Sequence, residues 1–261
     1  MNQADGEITL IPTASLRLPS SLLPLVAGLA LWEAAGWLAG FRFLPPFSRV
    51  LLATVDLTVS GQLITPLLGS LLGLVTGYGA AVVLGLLLGV TMGRYRTVEF
   101  VLSPYLHAFV AAPKIALVPV LFSLFGLSRG IQVVVVFLSA FFVIVLNTMR
   151  GVQMVDPEHA EMALAFGATE RQLLWRVLLP GALPLTLAGL RLAVGHAVRA
   201  MVAAEMFVTL FGLGALLRSF GGRFDAERVF AVLLVVVSVA FACSYLLGLV
   251  DRRLTSWAGT R

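Results

Sequence analysis

The sequence predicts an all-α membrane protein with about six transmembrane helices. Hydrophobic residues make up 59% of the chain and charged residues only 12%, whereas about a quarter of the residues in a soluble domain are charged. The mean hydropathy is +1.00. A helix needs about 20 apolar residues to cross the ~30 Å of hydrocarbon in a bilayer. Runs of that kind occur at about 22–41, 66–93, 101–126, 131–149, 181–209 and 229–250.

The arginines at the ends of these runs predict the orientation of the chain. An even number of spans places both termini on one side, and that side holds nine arginines against six on the other. Because cytoplasmic loops carry an excess of Arg and Lys, we expect both termini and the loop at about 150–180 to be cytoplasmic. The predicted organisation is a polar segment over 1–21, one transmembrane domain over 22–253 and a tail over 254–261.

Several kinds of site are absent from the sequence. The net charge of +5 comes mainly from arginines near span ends, which indicates membrane orientation and not nucleic-acid binding. A phosphate-binding loop needs G-x-x-x-x-G-K-[ST], but the only lysine, Lys114, follows Pro113 and precedes Ile115. His196 has no Cys or carboxylate at metal-ligand spacing. We therefore predict no catalytic residues, no metal site and no cofactor bound by this chain.

The second span carries a small residue at every fourth position. Each step of four residues turns a helix by about 400°, so the small residues form a stripe that drifts by about 40° per member. Such a stripe lets another helix approach closely within a bundle. Its members are Gly69, Gly73, Gly77, Ala81, Gly85, Gly89 and Gly93.

The third span contains three prolines, Pro104, Pro113 and Pro119. Each proline removes a backbone donor and disturbs the bond to the carbonyl four residues earlier, so we expect a broken helix here. Broken backbone at membrane depth is tolerated where it is buried in protein or lines a wet cavity. Lys114 lies beside one break, and a charge inside a span signals function by default, with structural pairing or snorkelling as the alternative.

The fifth span is the other polar membrane segment, with His196, Arg199 and Glu205. Arg199 and Glu205 are six residues apart, and a turn of about 600° leaves them on different faces of a helix. We therefore expect the partner of Glu205 to be a cation on another helix, with Lys114 as a candidate. The predicted residues of a central pathway are Lys114, His196, Arg199 and Glu205.

The polar loop at about 150–180 is predicted to fold as a helix-turn-helix elbow. Pro157 is suited to the first turn of a short helix, and Gly167 is suited to ending it. Thr169 and Gln172, three positions later, form a capping-box pattern that starts the next helix. An ordinary amphipathic loop between spans is the alternative.

The spacing within this elbow resembles the docking loop of ABC importer permeases. That loop reads E-A-A-x3-G-x9-I-x-L-P, and this chain reads E-M-A-x3-G-x9-V-x-L-P from Glu161 onward. Met162 and Val177 are apolar-for-apolar exchanges. Together with the order of spans, the third-span prolines and the run Ala204-Glu205-Met206, the chain resembles the permease subunits of nitrate/sulfonate/taurine-type importers over about 22–253.

The resemblance implies a non-catalytic transport subunit of the bacterial inner membrane. It implies a homodimer with one pathway along its two-fold axis, two ATP-binding subunits below it and an extracytoplasmic solute-binding protein outside. ATP and Mg are then bound by the partner ATPase, and the expected solute is a small anion. The residues implied to dock on the ATPase are Glu158, Glu161, Met162, Ala163 and Gly167.

Two other functions remain open on the sequence. A secondary transporter or channel with six transmembrane helices would couple membrane charges to ions without an ATPase. Such proteins often contain inverted repeats, and none is evident in this sequence. An intramembrane enzyme such as a serine protease would need a motif like G-x-S-x-G, which does not accompany the three histidines.

Overall fold

The computed structural model describes residues 23–38, 43–126, 128–208 and 211–255. The predicted segment 1–21 lies outside them, as do residues 256–261 of the predicted tail. The described residues form α-helices joined by short turns, and no strand occurs among them. The helices are α1 Leu23–Leu38, α2 Phe47–Val59, α3 Ile64–Arg94, α4 Arg96–Ala111, α5 Val118–Phe125, α6 Arg129–Gln153, α7 Pro157–Ala165, α8 Glu170–Leu173, α9 Leu179–Val208, α10 Gly212–Gly222 and α11 Ala226–Leu254.

Four helical segments of the described chain are long and apolar enough to cross a membrane. They are α3, α6, the continuous helix Glu170–Phe207 that contains α8 and α9, and α11. The described part of the first predicted span, α1, has 16 residues. The all-α polytopic fold is confirmed, although the third predicted span is not one helix.

The third predicted span is broken where its prolines lie. α4 ends at Ala111, a 3-10 turn follows over Lys114–Leu117, and α5 begins at Val118. Pro113 occupies the junction before the 3-10 turn, and Pro104 lies inside α4. The predicted break is therefore confirmed, and it places the only lysine of the chain at the interruption.

The stripe of small residues on α3 faces α6 at close range. A Cβ added to Gly77 would lie 2.7 Å from a backbone carbonyl oxygen of α6, and the corresponding distances for Gly89 and Gly93 are 2.8 and 2.9 Å. Real Cβ atoms do not approach oxygen so closely, so only glycine permits this helix separation. The predicted packing seam is confirmed.

α9 runs through the centre of the bundle and packs against α3, α6, α10 and α11. Its buried face carries Ala193, Ala197 and Met201, which join the largest apolar core. In the first half of α9, Arg191 makes a 2.6 Å ion pair with Asp251 of α11. After α9, Gly212 has a φ of +88°, and the short helix α10 turns back onto the end of the bundle that lies away from the elbow.

Candidate functional site

The first helix of the elbow, α7, is capped at both ends by residues that the sequence predicts. Asp156 accepts a hydrogen bond from the backbone N–H of Glu158 at 2.9 Å, and Pro157 occupies the first helical position of α7. Gly167, at a φ of +81°, reverses the chain. Its N–H donates to the carbonyl of Leu164, and the N–H of Ala168 donates to the carbonyl of Ala163. This pair of bonds is a Schellman motif, which satisfies carbonyl groups that the helix end would otherwise leave unpaired.

The second helix of the elbow starts with the predicted capping box. The side chain of Thr169 accepts from the backbone N–H of Gln172, and the side chain of Gln172 accepts from the backbone N–H of Thr169. Glu170 makes an ion pair with Arg94 at the end of α3. The elbow is therefore joined to α9 by the continuing chain and to α3 by this ion pair.

A π-helical turn over Leu174–Leu178 joins α8 to α9 without interrupting the helix. Leu173 and Leu178 are buried, which anchors this turn against the bundle. Single π turns are frequent at functional sites in helices. They change the angular position of the residues that precede them, so this turn sets the direction in which the elbow points.

The elbow exposes acidic and large apolar side chains that no other described residue covers. The predicted docking residues Glu158, Glu161, Met162 and Gly167 are exposed, and Ala163 is half-buried. Phe166 was not among them, although it is 86% exposed. Large exposed apolar side chains outside the membrane indicate a protein-protein contact. On and beside the elbow they are Met154, Met162, Leu164, Phe166 and Trp175.

Three of the four predicted pathway residues lie near one another on an exposed face. Lys114 Nζ donates to the Val110 carbonyl at 3.1 Å, and Arg199 Nε donates to the Gly195 carbonyl at 3.1 Å. His196 is half-buried and lies within electrostatic range of both Lys114 and Arg199. No ion pair with an acidic residue of the described segments involves these three side chains. We refer to Lys114, His196 and Arg199 as the basic cluster.

Glu205 does not belong to that cluster, because its side chain is fully buried. Gln132 Nε2 donates to one carboxylate oxygen and the backbone N–H of Gly214 to the other, each at 2.8 Å. The expectation of a cationic partner is therefore wrong. Neutral donors satisfy this carboxylate, and Lys114 is occupied with Val110. Membership of Glu205 in the pathway stays a prediction, and its burial argues against contact with solute.

The surroundings of Glu205 form a polar knot, which we define as Ser70, Gln132, Glu205 and the start of α10. Gln132 Nε2 also donates to the Ser70 carbonyl at 3.2 Å, and the N–H of Leu213 donates to Ser70 Oγ at 2.9 Å. The carboxylate lies at the N-terminus of α10, where unpaired N–H groups and the helix dipole favour negative charge. The knot ties α3, α6, α9 and α10 together at one end of the bundle.

The described residues include no group of three or more His, Cys, Asp or Glu side chains that could hold a metal ion. The residues that the structure brings together form a basic face at Lys114, His196 and Arg199, and the elbow exposes apolar side chains.

Comparison with known proteins agrees with this geometry. Residues 81–256 match the family described as binding-protein-dependent transport system inner membrane component. The chain is 33% identical to the taurine transport system permease protein TauC of Escherichia coli (strain K12), covering 83% of this chain and 81% of that protein. It is 29% identical to the putative aliphatic sulfonates transport permease protein SsuC of Bacillus subtilis (strain 168), covering 90% and 86%.

A solved structure shares the fold. The crystal structure of an amino acid ABC transporter with histidines matches with a TM-score of 0.59 at 18% identity, covering 76% of this chain and 97% of that chain. The resemblance inferred from the elbow is confirmed, and neither the secondary-transporter nor the enzyme alternative finds support. The chain belongs to the family of binding-protein-dependent transport system inner membrane components and is a permease subunit of an ABC importer.

Proposed function

We propose that this chain carries a small organic anion, such as a sulfonate or a carboxylate, through the inner membrane as part of an ATP-driven importer. The supporting observation is the basic cluster, which the described residues leave without an acidic partner. A charge at the centre of a membrane helix costs about 2.5–3.5 kcal/mol on insertion scales. The face that carries the cluster is therefore expected to border a passage and not lipid.

A homodimer would enclose that passage. A second copy related by a two-fold axis places a second basic cluster opposite the first, so that six basic side chains surround one route. Positive groups from two sides suit an anionic solute, because charge-assisted hydrogen bonds to carboxylate or sulfonate oxygens are stronger than neutral ones. Two relatives are named for taurine and aliphatic sulfonates, and these compounds carry the same kind of anionic group.

The elbow is the proposed contact with a separate ATPase. Met162 and Phe166 offer apolar surface at its tip, while Glu158 and Glu161 add negative charge on the same short helix α7. A groove with an apolar floor and basic rim would match this surface. Since the sequence contains no phosphate-binding loop, we assign ATP and Mg to the partner chain.

The remaining parts of the proposal concern orientation. The excess of arginine on the elbow side supports a cytoplasmic elbow and cytoplasmic termini. The extracytoplasmic solute-binding protein then delivers its cargo at the opposite end, where α10 lies. We propose no nucleic-acid partner.

Uptake by the complete complex in vesicles tests this proposal. The permease, its ATPase and its binding protein are reconstituted, and ATP-dependent uptake of taurine, an alkanesulfonate, a carboxylate and a neutral sugar is measured. Arg199→Met should lower uptake of the preferred anion by about tenfold or more, since tenfold corresponds to ~1.4 kcal/mol, within reach of one charged contact. Arg252→Met, an exposed arginine at the end of α11, is the matched control.

Three results would contradict the proposal. Uptake that continues without ATP would show that transport does not depend on an ATPase. A preference for the neutral solute would show that the transported compound is not selected as an anion. Equal uptake by the parent and by Arg199→Met would show that the basic cluster does not contact the route of the solute.

A further inference from the structure

The helix α4 has three different faces along its length. The first packs against the bundle through Val98, Leu102 and Leu106, and Phe109 extends this face by stacking on Phe142 at a centroid distance of 5.1 Å. Since a helix turns by about 100° per residue, these side chains cover a little under a quarter of the circumference. Most of the remaining surface of α4 is exposed in the described chain, although Glu99 and Ser103 are half-buried.

The second face of α4 is polar. Arg96, Glu99, Ser103 and His107 follow one another at intervals of three, four and four residues, so they share an arc of about 80° on the helix surface. We call these four residues the polar face. It borders an open depression of about 530 Å³.

The third face of α4 is apolar and exposed. Val101 and Tyr105 lie on the side of the helix opposite the polar face and are 55% and 63% exposed. In a bilayer, such a face contacts lipid. A helix with one packed, one apolar and one polar face cannot direct both of its free faces to hydrocarbon, because polar and ionisable groups are expensive there.

The hydrogen bonding of His107 makes its environment specific. Its Nδ1 lies 2.7 Å from the Ser103 carbonyl oxygen, and because a carbonyl only accepts, Nδ1 carries the proton. No hydrogen bond joins Nε2 to a described residue, so this ring nitrogen faces the open side of α4. His107 is eleven residues after Arg96, which places it about 16 Å further along the helix axis.

The polar face also leads from the elbow end of the bundle to the basic cluster. Arg96 follows Arg94, which pairs with Glu170 of the elbow. At the other end, Lys114 reaches back to the Val110 carbonyl, and Val110 lies on the same side of α4 as Ser103. From this continuity we infer that the polar face of α4 lines a water-filled vestibule connecting the basic cluster to the cytoplasm. The inference rests on the proposed function for its direction.

Chemical accessibility tests this vestibule without knowledge of the solute. Cys243 is the only cysteine, so Cys243→Ala provides a background into which Ser103→Cys or Val101→Cys is introduced. These positions lie two residues apart on opposite sides of α4. A membrane-impermeant methanethiosulfonate is added to the cytoplasmic side of inverted vesicles that contain the assembled complex, and the rate of labelling is measured.

Ser103→Cys should label about tenfold or more faster than Val101→Cys, because the reactive thiolate forms in water and not in hydrocarbon. Labelling of Ser103→Cys should also block ATP-dependent uptake. Equally slow labelling of the two variants would overturn the inference. A disulfide between the two copies at position 103, formed without labelling, would also overturn it by showing a dry dimer contact. Rapid labelling together with no anion uptake would retain the vestibule and reject only the anion assignment.

Discussion

Replacing Gly77 with alanine should destabilise the permease, because α3 and α6 are in backbone contact at this residue. The added Cβ would lie 2.7 Å from the carbonyl oxygen of Val133 and 2.9 Å from the Cβ of Val136. Carbon atoms pack at about 3.5–4.0 Å, so the helices must separate locally by roughly 0.6 Å or more. A gap of ~0.5–1 Å forfeits about a quarter to a half of the dispersion energy of the contacts around it.

Two opposing effects set the size of the expected loss. Overpacking a well-packed interior costs about 1–3 kcal/mol. Alanine in place of glycine inside a helix contributes about 1 kcal/mol in the stabilising direction. We therefore expect Gly77→Ala to lower the free energy of unfolding by up to roughly 2 kcal/mol. Gly79→Ala is the matched control, because no atom lies within 4 Å of its added Cβ.

Thermal unfolding of the purified chain in mild detergent compares the two variants with the parent. The midpoint should fall for Gly77→Ala and should stay equal or rise slightly for Gly79→Ala. Expression and membrane insertion are measured in parallel, so that a failure of insertion is not mistaken for lower stability. The reasoning about the packing seam is refuted if Gly77→Ala and Gly79→Ala unfold at the same temperature.

Three further predictions follow from the elbow, the basic cluster and the polar knot. Gly167→Val should weaken copurification of the ATPase while insertion is retained, because a β-branched residue resists a φ of +81°; undiminished copurification would show that the turn is not needed for docking. Native mass measurement in mild detergent should find two copies of this chain with two ATPase chains, and a transport-active assembly with one copy would contradict the dimer. Glu205→Leu should reduce the free energy of unfolding by about 1–3 kcal/mol, because the Gly214 N–H and the Gln132 amide lose their acceptor, and Glu205→Gln should reduce it less. Parental stability of Glu205→Leu would mean that the knot contributes nothing.

The features predicted from the sequence were those that depend on neighbouring residues. The small residues on α3 repeat every four positions, and the caps of the elbow involve residues two to five positions apart, so spacing alone indicates their structure. Thr169 and Gln172 are three positions apart, and their reciprocal hydrogen bonds follow from that distance. The break beside Lys114 followed from proline chemistry in the same way.

The environment of Glu205 could not be predicted in that manner. Its donors are an amide 73 residues away on α6 and the backbone N–H of Gly214. A backbone donor leaves no sign in the sequence, and Gln132 stands out only as an amide in an otherwise apolar run. Lys114 is the charged candidate visible in the sequence, whereas the neutral donors of Glu205 cannot be recognised there.

Two other features were missed for different reasons. The polar face of α4 was visible as Ser103 and His107 four residues apart, a spacing that places both on one side of a helix. The three prolines of this span are its more conspicuous feature in the sequence. The exposure of Phe166 had no local sign, because an apolar residue beside a turn is as compatible with burial as with a contact surface.

The helix from Glu170 to Phe207 runs without a break from the elbow to the polar knot. Its 38 residues extend over about 57 Å. A Cβ added to Gly181 of α9 would lie 2.9 Å from the side chain of Val155, just after α6, and a Cβ added to Gly151 of α6 would lie 2.9 Å from the Ala182 carbonyl oxygen. About two turns further along, a Cβ added to Gly189 would collide with the side chain of Asn147 of α6. α9 is therefore held against α6 along several turns.

Bending and packing decide how far a displacement of the elbow travels. Pro184 removes one backbone hydrogen bond of α9, so the helix bends most easily there. Beyond that point α9 is packed on α6, so any movement that passes Pro184 shifts the two helices together and carries His196 and Arg199 with them.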